Sequence, residues 1–266
     1  MNQIDSAGMN MTQVNLIGFQ TIMRREIHRI LRIWAQTLLP PAMTISLYFI
    51  IFGSLIGSRI GDMGGFDYMQ FIVPGLIMMS VIQNSYGNMV SSFFGAKFGR
   101  HIEELLISPL PNWVILAGYI IGSMFRGLLV GAVVTLVALL FTSLQVHNWL
   151  ITISVVLLTS MVFSLAGMIN AIYAQKFDDI TIVPTFILTP LTYLGGVFYS
   201  VSLLPPLWQT VSSINPILYM VNAFRYGMLG VSDVPVLPAF AIIVVFVLLL
   251  GGICLYLLHK GVGLRS

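Results

Sequence analysis

The residue types that perform enzymatic chemistry occur in this sequence without the spacing that such chemistry requires. The four histidines belong to no HExxH motif and to no carboxylate cluster that would complete a metal site: His28, His101, His147 and His259. The sequence also contains no GxSxG nucleophile elbow and no GxxxxGKS/T phosphate loop. We therefore predict no catalytic residue and no metal site, and any step driven by ATP would need an ATPase on another chain.

The feature best suited to act on a partner is a charged segment at 97–111 that separates two apolar runs. Four formal charges fall within eight residues: Lys97, Arg100, Glu103 and Glu104. Three apolar residues recur at the spacing of one helix face: Ile102, Leu105 and Leu106. A short amphipathic helix of this kind, stopped at Ser108-Pro109, can dock into a groove on a soluble partner. The alternative is a solvated loop whose helix only lies on the bilayer surface.

Composition decides the environment in which this segment sits. The chain has 266 residues, of which 58% are hydrophobic and 8% are charged, and its mean hydropathy is +0.95. Because soluble domains carry about 25% charged residues, the sequence predicts an all-α integral membrane protein with a single membrane domain and no nucleic-acid partner. The one cysteine, Cys254, lies in the last apolar run, which excludes a disulfide framework and a cysteine metal site.

Six apolar runs approach the ~20 residues that a helix needs to cross a bilayer. They predict transmembrane helices at about 38–56, 69–94, 113–141, 149–174, 181–199 and 236–258. We expect a flexible N-terminus at 1–14, a membrane domain at 38–258 and a short C-terminal tail at 259–266. Pro40-Pro41 is expected to open the first span.

Residues 15–37 have the pattern of an amphipathic helix that lies in the membrane interface. One side carries apolar residues and Trp34, and the other carries four arginines that can meet anionic lipid headgroups: Arg24, Arg25, Arg29 and Arg32. The alternative is an ordinary positive anchor next to the first span.

The distribution of positive charge predicts the orientation. With the N-terminus in the cytoplasm, nine cationic residues lie inside: Arg24, Arg25, Arg29, Arg32, Lys97, Arg100, Lys176, Lys260 and Arg265. Only Arg59 and Arg225 lie outside, and Arg126 falls within the third span. This bias predicts six spans with both termini in the cytoplasm and places segment 97–111 there too.

The connection at 200–232 is mostly apolar, yet prolines interrupt it at Pro205-Pro206 and at Asn215-Pro216. We expect two half-helices, at about 206–214 and 217–229, that dip into the membrane and return as a re-entrant segment. The alternative is an external cap on the bilayer surface. Arg225 belongs to the second half-helix, where we expect it to bond to carbonyl groups or to Asp233.

Arg126 is the least expected residue inside a span, because an isolated cation there costs several kcal/mol. It either faces an internal cavity or subunit seam and meets an anionic group of a ligand, or it reaches the cytoplasmic interface or bonds backbone carbonyls. Other polar side chains inside spans are candidates for a substrate path, although helix packing is the simpler explanation for them: Asn84, Tyr86, Thr189 and Tyr193.

Several motifs together resemble the permease subunits of type II ABC exporters, the ABC-2 type. They are FIVPG at 71–75, EELL at 103–106 with Ser108-Pro109, Pro190 with GGVFY at 195–199, and Asn215-Pro216 followed by Arg225. The resemblance covers nearly the whole chain.

The resemblance implies that segment 97–111 is a coupling helix, contacting a separate ATPase through Arg100, His101, Glu103, Glu104, Leu105 and Leu106. It implies two permeases and two ATPases in a bacterial inner-membrane exporter, with ATP and Mg bound by the ATPase and no cofactor in this chain. The substrate would be amphipathic or lipid-linked, of drug, lipid or glycan type, and the path would lie between the two permeases.

Two other functions remain open from the sequence. An ion-coupled secondary transporter predicts a titratable residue within a span, and only Arg126 is present. A membrane scaffold without transport predicts no ATPase partner.

Overall fold

The computed structural model of the protein describes residues 10–57 and 61–263. Three expectations fall partly outside that range: residues 1–9 of the flexible N-terminus, Arg59 of the outside segments, and Arg265 in the C-terminal tail.

The chain begins with two nearly continuous helices. Helix α1 spans Met11–Arg32 and begins with a capping box, in which Asn10 and Gln13 satisfy each other's backbone N–H groups. Helix α2 spans Trp34–Tyr48 and continues as a π-helical segment, Phe49–Gly57. The predicted boundary at 37–38 is found earlier, at Ile33. Pro40 and Pro41 lie inside α2 instead of opening it.

A small hairpin that the sequence analysis did not predict precedes the third helix. Its antiparallel strands, β1 at Asp62–Met63 and β2 at Phe66–Asp67, are joined by Gly64-Gly65, and both glycines have positive φ. Such a two-residue turn matches the twist of the strands. Asp67 then caps the next helix by accepting from the backbone N–H of Met69 at 3.2 Å.

The middle of the chain supplies the longest helices. Helix α3 spans Tyr68–Phe98, the short α4 spans His101–Ile107, α5 spans Asn112–Ala138 and α6 spans Trp149–Tyr173. Helix α3 packs against both α5 and α6, and most of its residues from Phe71 to Ala96 are buried.

The C-terminal part is broken into shorter elements before the last helix. Helix α7 spans Asp179–Val183, a π-helical segment follows at Pro184–Leu188, and α8 spans Thr189–Leu194. After a 3-10 turn at Val201–Leu203 come α9 at Pro206–Ile214 and α10 at Pro216–Leu229. Helix α11 spans Val236–Lys260. The two short helices expected at 206–214 and 217–229 thus correspond to α9 and α10.

The core has two apolar clusters, one at each end of α3. The cluster near the hairpin joins α2, α3, α5, α6, α10 and α11, and the cluster near α4 joins α1, α3, α5, α6 and α11. Among the described residues, four helical segments are long and apolar enough to cross a membrane: Trp34–Gly53, Asn112–Ala138, Trp149–Tyr173 and Val236–Lys260. The fold is therefore that of an all-α membrane protein in which α3 is the most buried helix.

Candidate functional site

The predicted docking segment forms a sharp corner that presents α4 at one end of the bundle. Arg100 adopts a left-handed conformation with φ of 59°, which turns the chain sharply after α3. At the other end, the Ser108 hydroxyl donates to the Leu105 carbonyl at 2.6 Å, and the extended Ser108 stops the helix before Pro109. The helix is shorter than the predicted segment, because Lys97 and Phe98 still belong to α3.

The apolar face of α4 packs onto the protein's own core. Ile102 is only 1% exposed, and Leu105 and Leu106 are partly buried against the same cluster. Glu103 is half-buried, whereas the opposite face leaves four side chains exposed: Arg100, His101, Glu104 and Ile107. Ile107 is 85% exposed. Of the six residues expected to contact an ATPase, Arg100, His101 and Glu104 are therefore the most accessible.

An exposed aromatic pair beside α4 was missed in the sequence. Phe98 and Phe177 have ring centroids 4.9 Å apart and are 63% and 55% exposed. Both rings also contact Phe94, which is buried. The sequence signal that could have indicated this pair is a phenylalanine directly after a lysine in two polar stretches, at Lys97-Phe98 and Lys176-Phe177. The pair extends the accessible surface of α4 with an apolar patch.

Lys97 has a structural role, because it caps the end of α6. Its Nζ donates to the carbonyl groups of Ile172 at 2.6 Å and Ala174 at 2.7 Å, where a cation is favoured by the helix dipole. Burial lowers the pKa of the Lys97 ammonium group. These contacts leave Lys97 less available to a partner than the four exposed residues of α4.

The turn before α7 is closed by one of its two aspartates. The carboxylate of Asp179 accepts from the backbone N–H groups of Gln175 at 2.8 Å and Lys176 at 3.0 Å, which lowers the pKa of Asp179. Asp178, which stands at the N-cap position of α7, makes no side-chain capping bond.

Helix α1 packs along α5 in the same direction. A Cβ atom on Gly118 would lie 2.7 Å from the side chain of Ile22, and one on Gly122 would collide with Glu26, so the two helices approach closely only because these positions are glycine. Arg24, Arg25 and Arg32 are exposed, as an interface helix requires. The apolar face is divided, since Ile22 and Ile30 are buried while Leu16, Leu31 and Trp34 stay exposed.

A buried polar network joins α1, α3 and α5. Arg29 Nη2 lies 2.9 Å from Glu26 Oε2 and 2.9 Å from Asn88 Oδ1, and Asn88 Nδ2 donates to Ser123 Oγ at 3.1 Å. Glu26 is 1% exposed. Arg29 therefore points inward and not only toward headgroups. The sequence analysis missed Glu26, although its i, i+3 spacing to Arg29 was visible.

Arg126 lies one turn beyond Gly122 on α5 and is half-buried. It forms no hydrogen bond or ion pair within the described residues, and its Nε is buried without an acceptor. The buried Ser85 hydroxyl on the adjacent α3 also lacks a hydrogen-bond partner within the described residues. Asn84 instead donates to the Ser80 carbonyl of its own helix at 3.0 Å.

The other two candidates for a substrate path lie elsewhere, on α8. The Tyr193 hydroxyl is 3.3 Å from the Tyr48 hydroxyl of α2, and the Tyr193 ring stacks on Phe198 with centroids 5.7 Å apart. Thr189 donates to the Pro184 carbonyl within its own segment. Tyr193 is 42% exposed, whereas Tyr86 is 2% exposed.

The segment at 200–232 is organised by its prolines and by Asn215. Pro205 stands before α9, Pro206 and Pro216 occupy the first positions of α9 and α10, and Asn215 caps α10 through the Ile217 N–H at 3.0 Å. The Asn215 amide also donates to the Leu191 carbonyl of α8 at 2.6 Å. Helix α10 is largely buried, whereas α9 is mostly exposed.

Arg225 of α10 is 1% exposed and is held by carbonyl and amide oxygens. Its Nη2 donates to the Gly196 carbonyl at 2.5 Å, its Nη1 lies 3.4 Å from Asn222 Oδ1, and its guanidinium sits 4.1 Å from the Phe71 ring centroid. The expected carbonyl contact is thus present, while Asp233 is bonded by Ser200 and Val201 instead.

Comparison with known proteins identifies the family. A family model described as ABC-2 type transporter matches residues 17–229, from α1 to the end of α10. The chain is 59% identical over 250 residues to the inner membrane transport permease YadH of Escherichia coli strain K12, covering 94% of this chain and 98% of that protein.

More distant relatives lie outside the enterobacteria. The chain is 26% identical over 185 residues to nodulation protein J of Rhizobium leguminosarum bv. trifolii, covering 69% of this chain and 71% of that protein. It is 23% identical over 243 residues to nodulation protein J of Neorhizobium galegae, covering 91% and 89%. The resemblance noted in the sequence motifs is confirmed, and the chain belongs to the ABC-2 type transporter family.

Proposed function

We propose that this chain is the membrane-spanning permease subunit of an ABC exporter. It moves an amphipathic or lipid-linked substrate, of drug, lipid or glycan type, out across the inner membrane. The energy comes from hydrolysis of ATP, which an ATPase on a separate chain binds together with Mg. The observation that carries this proposal is the presentation of α4, whose exposed face lies at a sharp corner between two long helices.

The packing of α4 supports a coupling role. Ile102 anchors the helix in the same cluster as α1, α3, α5, α6 and α11, so a force on the exposed face reaches the bundle through packed side chains. Glu104, His101 and Ile107 stand outward on that face. They offer a carboxylate, an imidazole and an aliphatic anchor to a groove on the ATPase.

The proposed topology has six spans with both termini in the cytoplasm. Helix α3 adds the second span, because its 31 residues reach roughly 46 Å at 1.5 Å per residue. Its polarity follows from its burial between neighbouring helices, which can satisfy side chains such as Asn88. The shorter stretch from α7 to α8, Asp179–Leu194, supplies the fifth span together with the turn that follows it.

Two copies of the chain complete the proposed transporter, each with its own ATPase. Support comes from apolar surface on α2 and on the segment before α8, where Met43 is 65% exposed and Phe186 is 73% exposed. The contact of Tyr48 with Tyr193 joins these two elements within one copy. The path would run between the copies along α2, α3 and α8, with the re-entrant α9 and α10 at its outer end.

Co-purification tests the proposal. We expect the tagged chain, extracted in mild detergent from its own membranes, to bring down an ATPase and ATP hydrolysis. The double variant Glu104→Arg with Ile107→Asp should lose both. The matched control is Leu140→Asp, because Leu140 is 82% exposed at the opposite end of α5. Equal recovery of the ATPase with both variants would refute the role of α4. Recovery of no ATPase even with the unmodified chain would favour a secondary transporter or a scaffold.

A further inference from the structure

A polar cavity of about 460 Å³ lies at the end of the bundle opposite α4. It opens between the hairpin, the start of α3, the turn after α8 and the segment after α10. The polar and aromatic residues of its lining include Asp62, Phe71, Ser200, Arg225 and Asp233. A volume of this size falls within the range of small-ligand sites.

Arg225 is the buried group of this cavity, and its charge is not matched by an ion pair. No carboxylate lies within ion-pair distance of Arg225 in the described residues, and its Nε is buried without an acceptor. The Gly196 carbonyl accepts a hydrogen bond from Nη2, and the Phe71 ring contacts the face of the guanidinium. A buried cation of this kind is costly unless acceptor groups complete its surroundings. The cavity therefore offers a donor to an oxyanion.

The exposed side of the same cavity carries carboxylates. Asp62 and Asp233 are both exposed, and Asp233 is fixed because it accepts from the Ser200 hydroxyl at 2.5 Å and the Val201 N–H at 3.0 Å. The lining thus combines one cation with two carboxylates. Such a balance disfavours a simple anion and favours a ligand that also carries a positive charge.

We propose that this cavity binds a zwitterionic group in which a phosphate and an amine are a few bonds apart. The phosphate accepts from the guanidinium of Arg225, because charge-assisted donors of this kind favour an oxyanion. The ammonium group lies between Asp62 and Asp233. Phosphoethanolamine has this chemistry, either free or as a lipid headgroup. Binding does not depend on the proposed ATPase partner, whereas the side of the membrane on which it occurs rests on the proposed topology.

Titration calorimetry on the purified full-length chain in detergent tests the site. We expect saturable binding of phosphoethanolamine, and weaker binding of inorganic phosphate alone and of ethanolamine alone. Asp62→Asn should lower the affinity for phosphoethanolamine about fivefold, because it removes one exposed charge pair. The matched control is Asp67→Asn on the same hairpin. Asparagine is as good a helix cap as aspartate, so α3 stays capped, and residue 67 does not line the cavity.

Arg225→Gln should weaken binding roughly tenfold or more, through loss of a charge-assisted hydrogen bond. The Asp62 variant keeps the test valid if this buried substitution unfolds the chain. Equal affinity for inorganic phosphate and phosphoethanolamine would overturn the proposal, as would identical binding by the Asp62 and Asp67 variants or no binding by the unmodified chain.

Nanodiscs distinguish the two sources of the ligand. If phosphatidylethanolamine nanodiscs suppress binding of free phosphoethanolamine more than phosphatidylglycerol nanodiscs do, the proposal holds with a lipid headgroup as the ligand. If both nanodiscs leave the affinity equal to that in detergent, it holds with the free compound.

Discussion

Arg29 donates a hydrogen bond of 2.9 Å to the side chain of Asn88 and thereby ties the amphipathic α1 to the most buried helix of the bundle. Glu26 lies on the other side of the same guanidinium at 2.9 Å. An interface helix that only floats on headgroups would have no such attachment. In this protein α1 is therefore a fixed part of the bundle, beside the helix that leads into α4.

Removing the carboxylate of this network should destabilise the fold. Glu26→Gln leaves Arg29 without its ionic partner, and we expect the free energy of unfolding to fall by about 1–2 kcal/mol, since the arginine is partly exposed and solvent screens it. Thermal unfolding in detergent measures the change. Glu104→Gln is the control, because Glu104 is exposed and makes no ion pair in the described residues. Equal melting of both variants would contradict the structural role of Glu26.

The close approach of α1 and α5 depends on Gly118 and Gly122, and Gly122 offers the sharper test. A methyl group at Gly122 collides with Glu26, so Gly122→Ala should cost about 1–3 kcal/mol through overpacking. Gly87→Ala is the matched control, because its added methyl meets nothing within 4 Å and alanine favours a helix interior. Melting temperatures of the two variants check this expectation. A tolerated Gly122→Ala would mean that α1 does not pack here.

The turn before α7 should loosen at low pH. Because the backbone N–H groups of Gln175 and Lys176 lower the pKa of Asp179, the carboxylate stabilises the folded turn above its unfolded pKa of about 3.9. That contribution is lost as pH falls through the lowered folded pKa. Hydrogen exchange of the amides at 175 and 176 should accelerate there, beyond the ordinary pH effect on exchange. Asp179→Asn should already exchange fast at neutral pH, and unchanged protection in that variant would be the contrary result.

Side chains at the two ends of the bundle should differ in their accessibility from outside the cell. In a Cys254→Ser background, a cysteine at Leu140 should react with a membrane-impermeant maleimide in intact cells, whereas a cysteine at Ile107 should react only after lysis. Both side chains are more than 80% exposed, so burial does not distinguish them. Reaction at Ile107 in intact cells would reverse the proposed orientation.

Local sequence signals predicted the features that depend on neighbouring residues. The spacing of Ile102, Leu105 and Leu106 predicted that they share one face of a short helix, although not that this face packs on the protein's own core. Pro206 and Pro216 predicted where α9 and α10 begin. These signals work because proline and helical periodicity act within one or two turns.

Features that depend on distant parts of the chain were missed or misassigned. The burial of Glu26 requires Gly122 of α5, and the role of Lys97 requires the end of α6, so neither follows from a local pattern. The hairpin before α3 was missed because each strand has only two residues, too few for alternation to be visible.

Site-specific cross-linking tests the central claim, contact between α4 and an ATPase, most directly. In the Cys254→Ser background, a photoreactive maleimide is attached to the new thiol of Glu104→Cys or Ile107→Cys. Leu140→Cys is labelled in the same way as the control, and the membranes are then irradiated. We predict a cross-linked band at Glu104 and at Ile107 that contains an ABC ATPase, and none at Leu140. Absence of the ATPase from all three, or its equal capture at Leu140, would contradict the assignment of α4 as the coupling helix.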